Sequence, residues 1–304
     1  MDVVILVLPI LAFMLLPFAA AIGLVVLWRR WFFNRNRRSP LTAELMRTPG
    51  YGLQQRIDAL DHDISVYLMM VAVSPLMFYT IQLSQSIKRG REPSLVDVGI
   101  FVTAGLITFG VLVRKLIKLV RRRQKFREAL DGELATAQCL ESVIAGGARV
   151  FHDVQADGFN IDHVVVAPGG VFAVETKHRL KPTGTNTKDV GKVRFDGQVL
   201  QFPGWVEKKP IDQARRQADW LSKFLSKATG ESVEAKPVLA LPGWWVDRTG
   251  RSDVIVINPK NSSFMLKPGN GQGLAEDRKQ RICYQLEQKC QESADARSAR
   301  TAKR

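Results

Sequence analysis

Three side chains that could do chemistry lie at fixed offsets within one short stretch, Asn160–Lys177. The stretch reads as a strand, a Pro-Gly-Gly turn and a second strand. Side chains alternate between the two faces of a strand, so Glu175 and Lys177 project from the same side, and a hairpin can bring Asp162 beside them. Two carboxylates and one ammonium on one sheet face form a divalent-metal site with a cation next to it. This combination is typical of nucleases.

The neighbouring strand residues that point to either face of the predicted sheet are apolar, as Val164, Val171 and Val174 illustrate. Such runs predict central strands that are covered on both faces. A charged side chain in that position needs an ionic partner or a metal. An isolated Asp162 would more simply cap a turn or occupy a sheet edge, but the matching offsets of Glu175 and Lys177 favour a site.

These residues must be positioned by a sheet with helices packed on it. Apolar residues at three- and four-residue intervals predict helices, and short apolar runs between turn residues predict strands. The alternation of the two element types predicts a mixed α/β domain with a central sheet. The predicted elements are, in order, a helix over Gln124–Ala145, a strand over Arg149–Val154, the hairpin of Asn160–Lys177, a second hairpin over Lys192–Phe202, a helix over Ile211–Lys227, strands at Pro237–Leu241 and Asp253–Ile257, and a helix over Gly273–Gln291.

The first part of the chain has a different composition, with long uncharged apolar runs. An α-helix needs roughly 20 apolar residues to cross a bilayer. We therefore predict three transmembrane helices, at Val3–Trp28, Ser65–Leu83 and Leu95–Val113. The predicted organisation is a membrane region over 1–127, a soluble domain over 128–268, a C-terminal helix over 269–292 and a disordered tail over 293–304.

Lys and Arg residues predict the orientation of this membrane region, because they concentrate on the cytoplasmic side. Basic clusters occupy 29–38 and 114–127, whereas the loop between the second and third predicted spans contains only Lys88, Arg89 and Arg91. We expect a multi-pass protein of the cell (inner) membrane with its N-terminus outside and its C-terminal domain in the cytoplasm. A transporter is disfavoured, because Asp97 is the one charge within the three predicted spans.

The net charge of +15 suggests contact with nucleic acid or with anionic lipid. Most of this excess flanks the predicted spans, since residues from Glu128 onward contain 26 Lys and Arg against 22 Asp and Glu, a difference of four. A local basic group in or just after the hairpin either holds phosphates or forms a solvated face. Its members are Lys177, Arg179, Lys181, Lys188, Lys192, Arg194, Lys208, Lys209, Arg215 and Arg216.

The segment from about Leu130 to Phe264 resembles the NERD, or nuclease-related domain, family. That family is similar in fold to the PD-(D/E)xK restriction-endonuclease superfamily. The resemblance implies a restriction-endonuclease-like central mixed sheet flanked by helices, here preceded by an all-α membrane region. The marks that match are Gly132-Glu133, Ile161-Asp162 before an apolar run, Gly170-Val171-Phe172, Glu175-Thr176-Lys177, and Gln213 on the second long helix of the soluble part.

The resemblance also implies a role for each matching residue. Asp162 and Glu175 would be the carboxylate ligands of Mg²⁺ or Mn²⁺, and Lys177 would orient or activate the attacking water. Glu133 would be an additional acidic group, and Gln213 would contact metal-bound water or phosphate. Judged by residue type alone, Glu133 and Gln213 fit ordinary polar helix positions equally well.

We therefore expect a membrane-anchored, metal-dependent nuclease that acts on DNA or RNA in the cytoplasm. Magnesium suits such a site, because it prefers oxygen ligands and usually keeps several waters. The alternative is a catalytically silent nucleic-acid-binding or scaffold domain, tethered at the membrane. The near-neutral charge of the residues from Glu128 to Arg304 keeps that alternative open.

Overall fold

The computed structural model describes residues 20–21, 23–28, 46–182, 191–268 and 273–301. The chain divides into two compact units. The first, which we call the helical unit, includes Ala59–Arg123. The second, the α/β unit, combines residues 46–58 with the described residues from Gln124 onward. Residues 46–58 come before the apolar run in the chain but pack with the α/β unit.

Most of α1 (Tyr51–Arg89) and the first part of α2 (Leu95–Ala145) lie in the helical unit, whereas the start of α1 and the end of α2 belong to the α/β unit. The two helices run antiparallel, and their contacts follow in opposite chain order. The contacts are Asp61 with Arg123, the Tyr67 ring with Lys115, and Phe78 with Gly105.

Both helices are long and apolar enough to cross a membrane. Their apolar side chains are exposed, as the values of 67% for Met69 and 66% for Leu106 show, whereas a core helix of a soluble protein buries such residues. The structure thus describes two such helices rather than the three expected. They contain the spans predicted at 65–83 and 95–113. The predicted span Val3–Trp28 lies largely outside the described residues. Within this span the structure describes 20–21 and 23–28, which are helical.

The helix predicted over Gln124–Ala145 is the last part of α2, which is continuous from Leu95. The basic segment after the apolar run does not interrupt it, because no glycine or proline occurs between Gly110 and Gly132. The helix ends at Ala145 as predicted, and the following Gly147 adopts a φ of 91°, which favours glycine.

The α/β unit continues with nine strands, two α-helices and a 3-10 helix among its described residues. They are β1 (Arg149–Gln155), β2 (Asn160–Ala167), β3 (Gly170–Thr176), β4 (Lys192–Phe195), β5 (Leu200–Phe202), β6 (Trp205–Glu207), α3 (Lys209–Thr229), β7 (Ala235–Ala240), β8 (Trp245–Arg248), β9 (Ile255–Ile257), the 3-10 helix (Pro259–Leu266) and α4 (Glu276–Thr301).

The main sheet has the strand order β1-β2-β3-β7-β9. Strands β1, β2 and β3 pair antiparallel, and β7 and β9 continue the sheet in parallel with β3. The predicted central mixed sheet is therefore confirmed. A smaller sheet with the order β6-β5-β4-β8 includes the hairpin predicted over Lys192–Phe202, which is also confirmed.

Helices cover both faces of the main sheet. On one face, Leu221 of α3 and Leu286 of α4 pack with the apolar side chains of β2 and β3. On the other, Leu140 of α2 and Met265 of the 3-10 helix do the same. Residues of β2 such as Val164 and Val165 are fully buried on opposite faces, which explains why the strand lacks a polar alternation.

The structure differs from the sequence prediction at the C-terminal helix, and it does not describe the loop between β3 and β4. Helix α4 continues to Thr301, so residues 293–301, which were expected in a disordered tail, are helical. Residues 183–190, between β3 and β4, lie outside the described residues, and Lys188 of the basic group lies among them.

Candidate active site

The hairpin of β2 and β3 brings two predicted metal ligands together. Its register pairs His163 with Val174, which makes Asp162 and Glu175 the next opposed positions. Both carboxylates are buried, with 6% of Asp162 and 2% of Glu175 exposed. The backbone N–H of Thr176 donates to Oδ2 of Asp162 at 2.7 Å. This bond fixes Asp162 against the end of β3.

Lys177, the third predicted member, leaves β3 on the same side as Glu175. Its ammonium forms an ion pair with Oε1 of Glu175. Its backbone N–H donates to the carbonyl of Ala240 at 2.9 Å, so the main chain is still held by β7 where the side chain extends. The predicted grouping of Asp162, Glu175 and Lys177 is thus present in the structure.

A glutamine on α3 completes the contacts of Glu175. It is Gln217, which donates from Nε2 to Oε2 of Glu175 and also to the backbone carbonyl of Asn160 at 3.1 Å. The predicted Gln213 lies one turn earlier on the same helix and is half-buried. Sequence reasoning missed Gln217, although it is a polar residue within the apolar stripe of α3, beside Ala214 and Ala218.

Glu133 reaches the site from α2 and is also buried. Its carboxylate lies against Gly50, since a Cβ at that position would be 3.6 Å from Oε2 of Glu133. The preceding Gly132 explains how α2 comes so close to the strand, because a Cβ at this position would lie 2.5 Å from the Cβ of His178. Glycine is the residue type that permits this approach of the helix to the end of β3.

Burial and mutual repulsion raise the proton affinity of this carboxylate cluster. The pKa of Asp162 lies well above its usual range, first because of burial and then because of the charges of Glu175 and Glu133. Burial likewise raises the pKa of Glu133 to about 7, with added repulsion from Asp153 and Glu175. Lys177 opposes both shifts without cancelling them. A divalent cation would relieve the repulsion that remains.

The donor set suits a metal that keeps much of its hydration. No group of three or more Asp, Glu, His or Cys side chains among the described residues is arranged to hold a metal ion. In the assignment predicted from the sequence, Asp162 and Glu175 would be the two protein ligands, and water would complete the shell, as Mg²⁺ accepts. Oε1 of Gln217 is buried, has no hydrogen-bond partner among the described residues and offers an acceptor for such a water. On these grounds, Asp162, Glu175 and Gln217 fit a hydrated Mg²⁺ ion.

A fourth buried carboxylate, Asp153 on β1, was not singled out from the sequence. It is 1% exposed and forms an ion pair of 2.8 Å with Arg47, which lies just before α1. Its Oδ1 accepts from the side-chain amide of Asn160 at 2.6 Å. The sequence offered no signal for this pair, because 106 residues separate its members.

Most of the described basic residues near the hairpin have carboxylate partners. This pairing favours the interpretation of the group as a solvated face over that of a phosphate clamp. Arg216, Lys208 and Lys209 are exposed. The pairs are Arg179 with Glu207, Lys192 with Asp247, Arg194 with Asp247, and Arg215 with Asp253.

The histidines next to Asp162 and Lys177 have other neighbours. His163 follows Asp162 on β2 and bonds to His152 instead, with 2.8 Å between their Nδ1 atoms. Burial, followed by the charge of His152, lowers the pKa of His163 to about 3, so the ring is neutral at physiological pH. His178 packs against Gly132 of α2. These contacts assign the histidines a packing role.

Comparison with known proteins identifies the segment that holds most of these residues. Residues 129–242 match the family model described as nuclease-related domain, NERD. No curated protein and no solved structure matches the chain. Glu133, Asp162, Glu175, Lys177 and Gln217 fall inside the matched residues, whereas Arg47 and Gly50 fall outside them.

Proposed function

Because residues 129–242 match the family model of the nuclease-related domain, we propose that the α/β unit is a metal-dependent nuclease that hydrolyses phosphodiester bonds in DNA or RNA. The observation that carries this proposal is the convergence of Asp162, Glu175 and Lys177 at one end of the hairpin, with Glu133 beside them. A restriction-endonuclease-like arrangement of the main sheet is part of the same proposal.

Each side chain then has a separate task. Asp162 and Glu175 hold Mg²⁺ or Mn²⁺, which when bound neutralises charge on the phosphate and lowers the pKa of water. Lys177 supplies positive charge where negative charge develops on the phosphate. Glu133, with a pKa of about 7, exchanges a proton readily near neutral pH. Gln217 fixes the rotamer of Glu175.

A second candidate function is a silent nucleic-acid-binding or scaffold domain. One observation favours it, namely that both oxygens of Glu175 already accept hydrogen bonds, Oε1 from Lys177 and Oε2 from Gln217. In that case the ion pair of Glu175 and Lys177 is a structural element that closes the end of the hairpin. Such a protein would bind nucleic acid without cleaving it.

Cleavage assays on the full-length protein in detergent separate the two functions. Wild type and Glu175→Gln are incubated with single- and double-stranded DNA and RNA, each with Mg²⁺, Mn²⁺ or EDTA. We expect metal-dependent cleavage by the wild type and a loss of about 100-fold or more in Glu175→Gln. Glu234→Gln changes an exposed carboxylate and serves as the matched control, with wild-type activity expected. Binding without cleavage under every metal condition would establish the silent alternative.

We further propose that the protein is a multi-pass protein of the cell (inner) membrane with its N-terminus outside and the α/β unit in the cytoplasm. The exposed apolar side chains of α1 and α2 support a bilayer environment. The basic residues at 114–127 support the cytoplasmic side for the segment after the apolar run of α2.

Reporter fusions test this orientation. A periplasmic reporter inserted after Ser94, between α1 and α2, is expected to be active, and the same reporter at the C-terminus is expected to be inactive. Cytoplasmic reporters at the two sites should give the opposite pattern. Equal activity of one reporter at both sites would contradict the orientation, and recovery of the protein in the soluble fraction would contradict the anchor.

A further inference from the structure

A chain of hydrogen bonds connects Glu175 to a segment far outside the family match. It begins at Arg47, which lies just before α1. Nη1 of Arg47 donates to Oδ2 of Asp153 at 2.8 Å and to the carbonyl of the same residue at 3.3 Å. The side chains of Arg47 and Asp153 are 7% and 1% exposed. Water therefore screens this ion pair little, and each charge depends on the other.

Asp153 occupies an unusual backbone conformation for its position in a strand. Its φ is 50°, in the left-handed region that non-glycine residues seldom adopt. Among the described residues, Asp153 is the one non-glycine residue with a positive φ. Strain of this kind persists where surrounding contacts determine the conformation, and it is often found near functional sites. The contacts that determine it here are those of Arg47 and Asn160.

Asn160 connects Asp153 to α3 and, through Gln217, to β3. Its side-chain Nδ2 donates to Oδ1 of Asp153 at 2.6 Å, and its backbone carbonyl accepts from Nε2 of Gln217 at 3.1 Å. The same amide of Gln217 donates to Oε2 of Glu175. The sequence of contacts is thus Arg47, Asp153, Asn160, Gln217, Glu175.

The same segment touches a second carboxylate of the site. Gly50 lies beside Glu133, since a Cβ on Gly50 would be 3.6 Å from Oε2 of Glu133, and Gly50 has a φ of 70°. A side chain at this position would collide with the Leu130 side chain of α2. Gly52 lies against Asp153, since its Cβ would be 3.3 Å from Oδ1 of that residue. Residues 47–52 therefore contact the surroundings of both Glu133 and Glu175.

We propose that the segment 46–58 completes the active site and that Arg47 and Asp153 are positioning residues for the metal ligand Glu175. This inference rests on the proposed nuclease function. Outer contacts of this kind orient the ligands that touch a metal and tune their affinity for it. The residues matched by the family supply the ligands, whereas the segment 46–58 supplies Arg47, at the start of the contacts that lead to Glu175, and Gly50, which lies beside Glu133.

The test uses the full-length protein in detergent, because the segment and the helical unit belong to one chain. The variants are Arg47→Met, Arg47→Lys and the double variant Arg47→Met with Asp153→Asn. Arg251→Met, which changes an exposed arginine, is the matched control. Mn²⁺ affinity is measured by electron paramagnetic resonance. Cleavage kinetics give kcat, KM and the Mg²⁺ concentration for half-maximal activity.

We expect Arg47→Met to weaken Mn²⁺ binding and to lower kcat by about 10- to 100-fold, the range for lost outer contacts of metal ligands. KM for nucleic acid should change little, because the affected residues do not touch the substrate. Arg47→Lys keeps the charge and should restore part of the Mn²⁺ affinity. The double variant leaves no unpaired buried charge and should fold, yet it should still bind Mn²⁺ weakly.

Wild-type Mn²⁺ affinity in the folded fraction of Arg47→Met or of the double variant would overturn the inference, since the segment would then act on stability alone. The Glu175→Gln variant separates this failure from that of the proposed function. Full cleavage by Glu175→Gln would refute the nuclease. An inactive Glu175→Gln together with wild-type Mn²⁺ binding in Arg47→Met would refute only the positioning role.

Discussion

Gln217 of α3 donates its side-chain amide to Oε2 of Glu175, while Lys177 forms an ion pair with the other oxygen of the same carboxylate. Glu175 is thereby held from two directions, by a helix and by its own strand. The oxygen of the same amide, Oε1 of Gln217, has no hydrogen-bond partner within the part of the chain that the structure describes. This relationship makes Gln217 the neighbour of Glu175 whose removal is most informative.

Replacement of Gln217 by Leu should weaken metal binding or lower activity by about 10- to 100-fold, because an outer contact of a metal ligand is lost. Mn²⁺ titration and cleavage kinetics measure the effect. The matched comparison is Gln213→Leu, one turn earlier on α3, which tests the residue predicted from the sequence. A larger loss in Gln213→Leu than in Gln217→Leu would reverse the assignment of the two glutamines.

Replacement of Lys177 by Met should lower kcat by about 100- to 1,000-fold, because positive charge near the reacting phosphate is removed. KM should change less than kcat if the lysine acts mainly in the transition state. Single-turnover cleavage at saturating substrate gives the rate of the chemical step. Lys223→Met on α3 is the control, and an equal loss in both variants would indicate a general effect of charge.

Replacement of Gly132 by Ala should destabilise the α/β unit by about 1–3 kcal/mol, the usual cost of overpacking. The new Cβ would meet the Cβ of His178 at 2.5 Å, so α2 and the end of β3 must separate. Thermal unfolding followed by tryptophan fluorescence measures the change. Gly110→Ala is the control, since a Cβ at Gly110 has nothing within 4 Å. An unchanged melting temperature in Gly132→Ala would contradict the close packing.

Glu133 makes the stability of the folded protein depend on pH, and its raised pKa sets the direction of that dependence. The folded state binds this proton more tightly than the unfolded state, because the pKa rises from 4.5 to about 7 on folding. The stabilisation from Glu133 is therefore fully present below about pH 4.5 and is lost as the pH rises toward 7.

Melting temperatures in EDTA between pH 4.5 and 8 check this expectation. Relative to Glu133→Gln, the wild type should lose stability across that interval as the pH rises. Mg²⁺ should reduce the difference at pH 8, since it offsets the repulsion among the ionised carboxylates. Parallel curves for the two proteins in EDTA would show that Glu133 keeps an ordinary pKa.

The hairpin was predictable because its determinants are local. The Pro-Gly-Gly turn and the two-residue period of strands set which side chains share a face, and this places Asp162, Glu175 and Lys177 together. The division into an apolar helical part and a mixed α/β part was also visible, because it depends on composition. The choice between Gln213 and Gln217 was not, since both lie on one helical face and spacing alone does not rank them.

The contribution of residues 46–58 was beyond sequence reasoning for a different reason. Arg47 and Asp153 are joined across 106 residues, with two long apolar helix segments between them. No periodicity or turn signal in the sequence predicts a contact between Arg47 and Asp153. The sequence likewise does not predict the left-handed φ of Asp153. Tertiary contacts impose this conformation on a residue type that ordinarily avoids it in strands.

The division of the chain implies that the α/β unit is a discontinuous domain, with Ala59–Arg123 as an insertion. The points where the chain leaves and re-enters the domain lie side by side, since the Arg56 guanidinium is 5.8 Å from the centre of the Phe126 ring. A soluble protein should therefore be obtained by excising residues 59–123 and joining the ends with a short flexible linker. A simple truncation at Gln124 would instead discard Arg47 and leave the buried charge of Asp153 without its counterion.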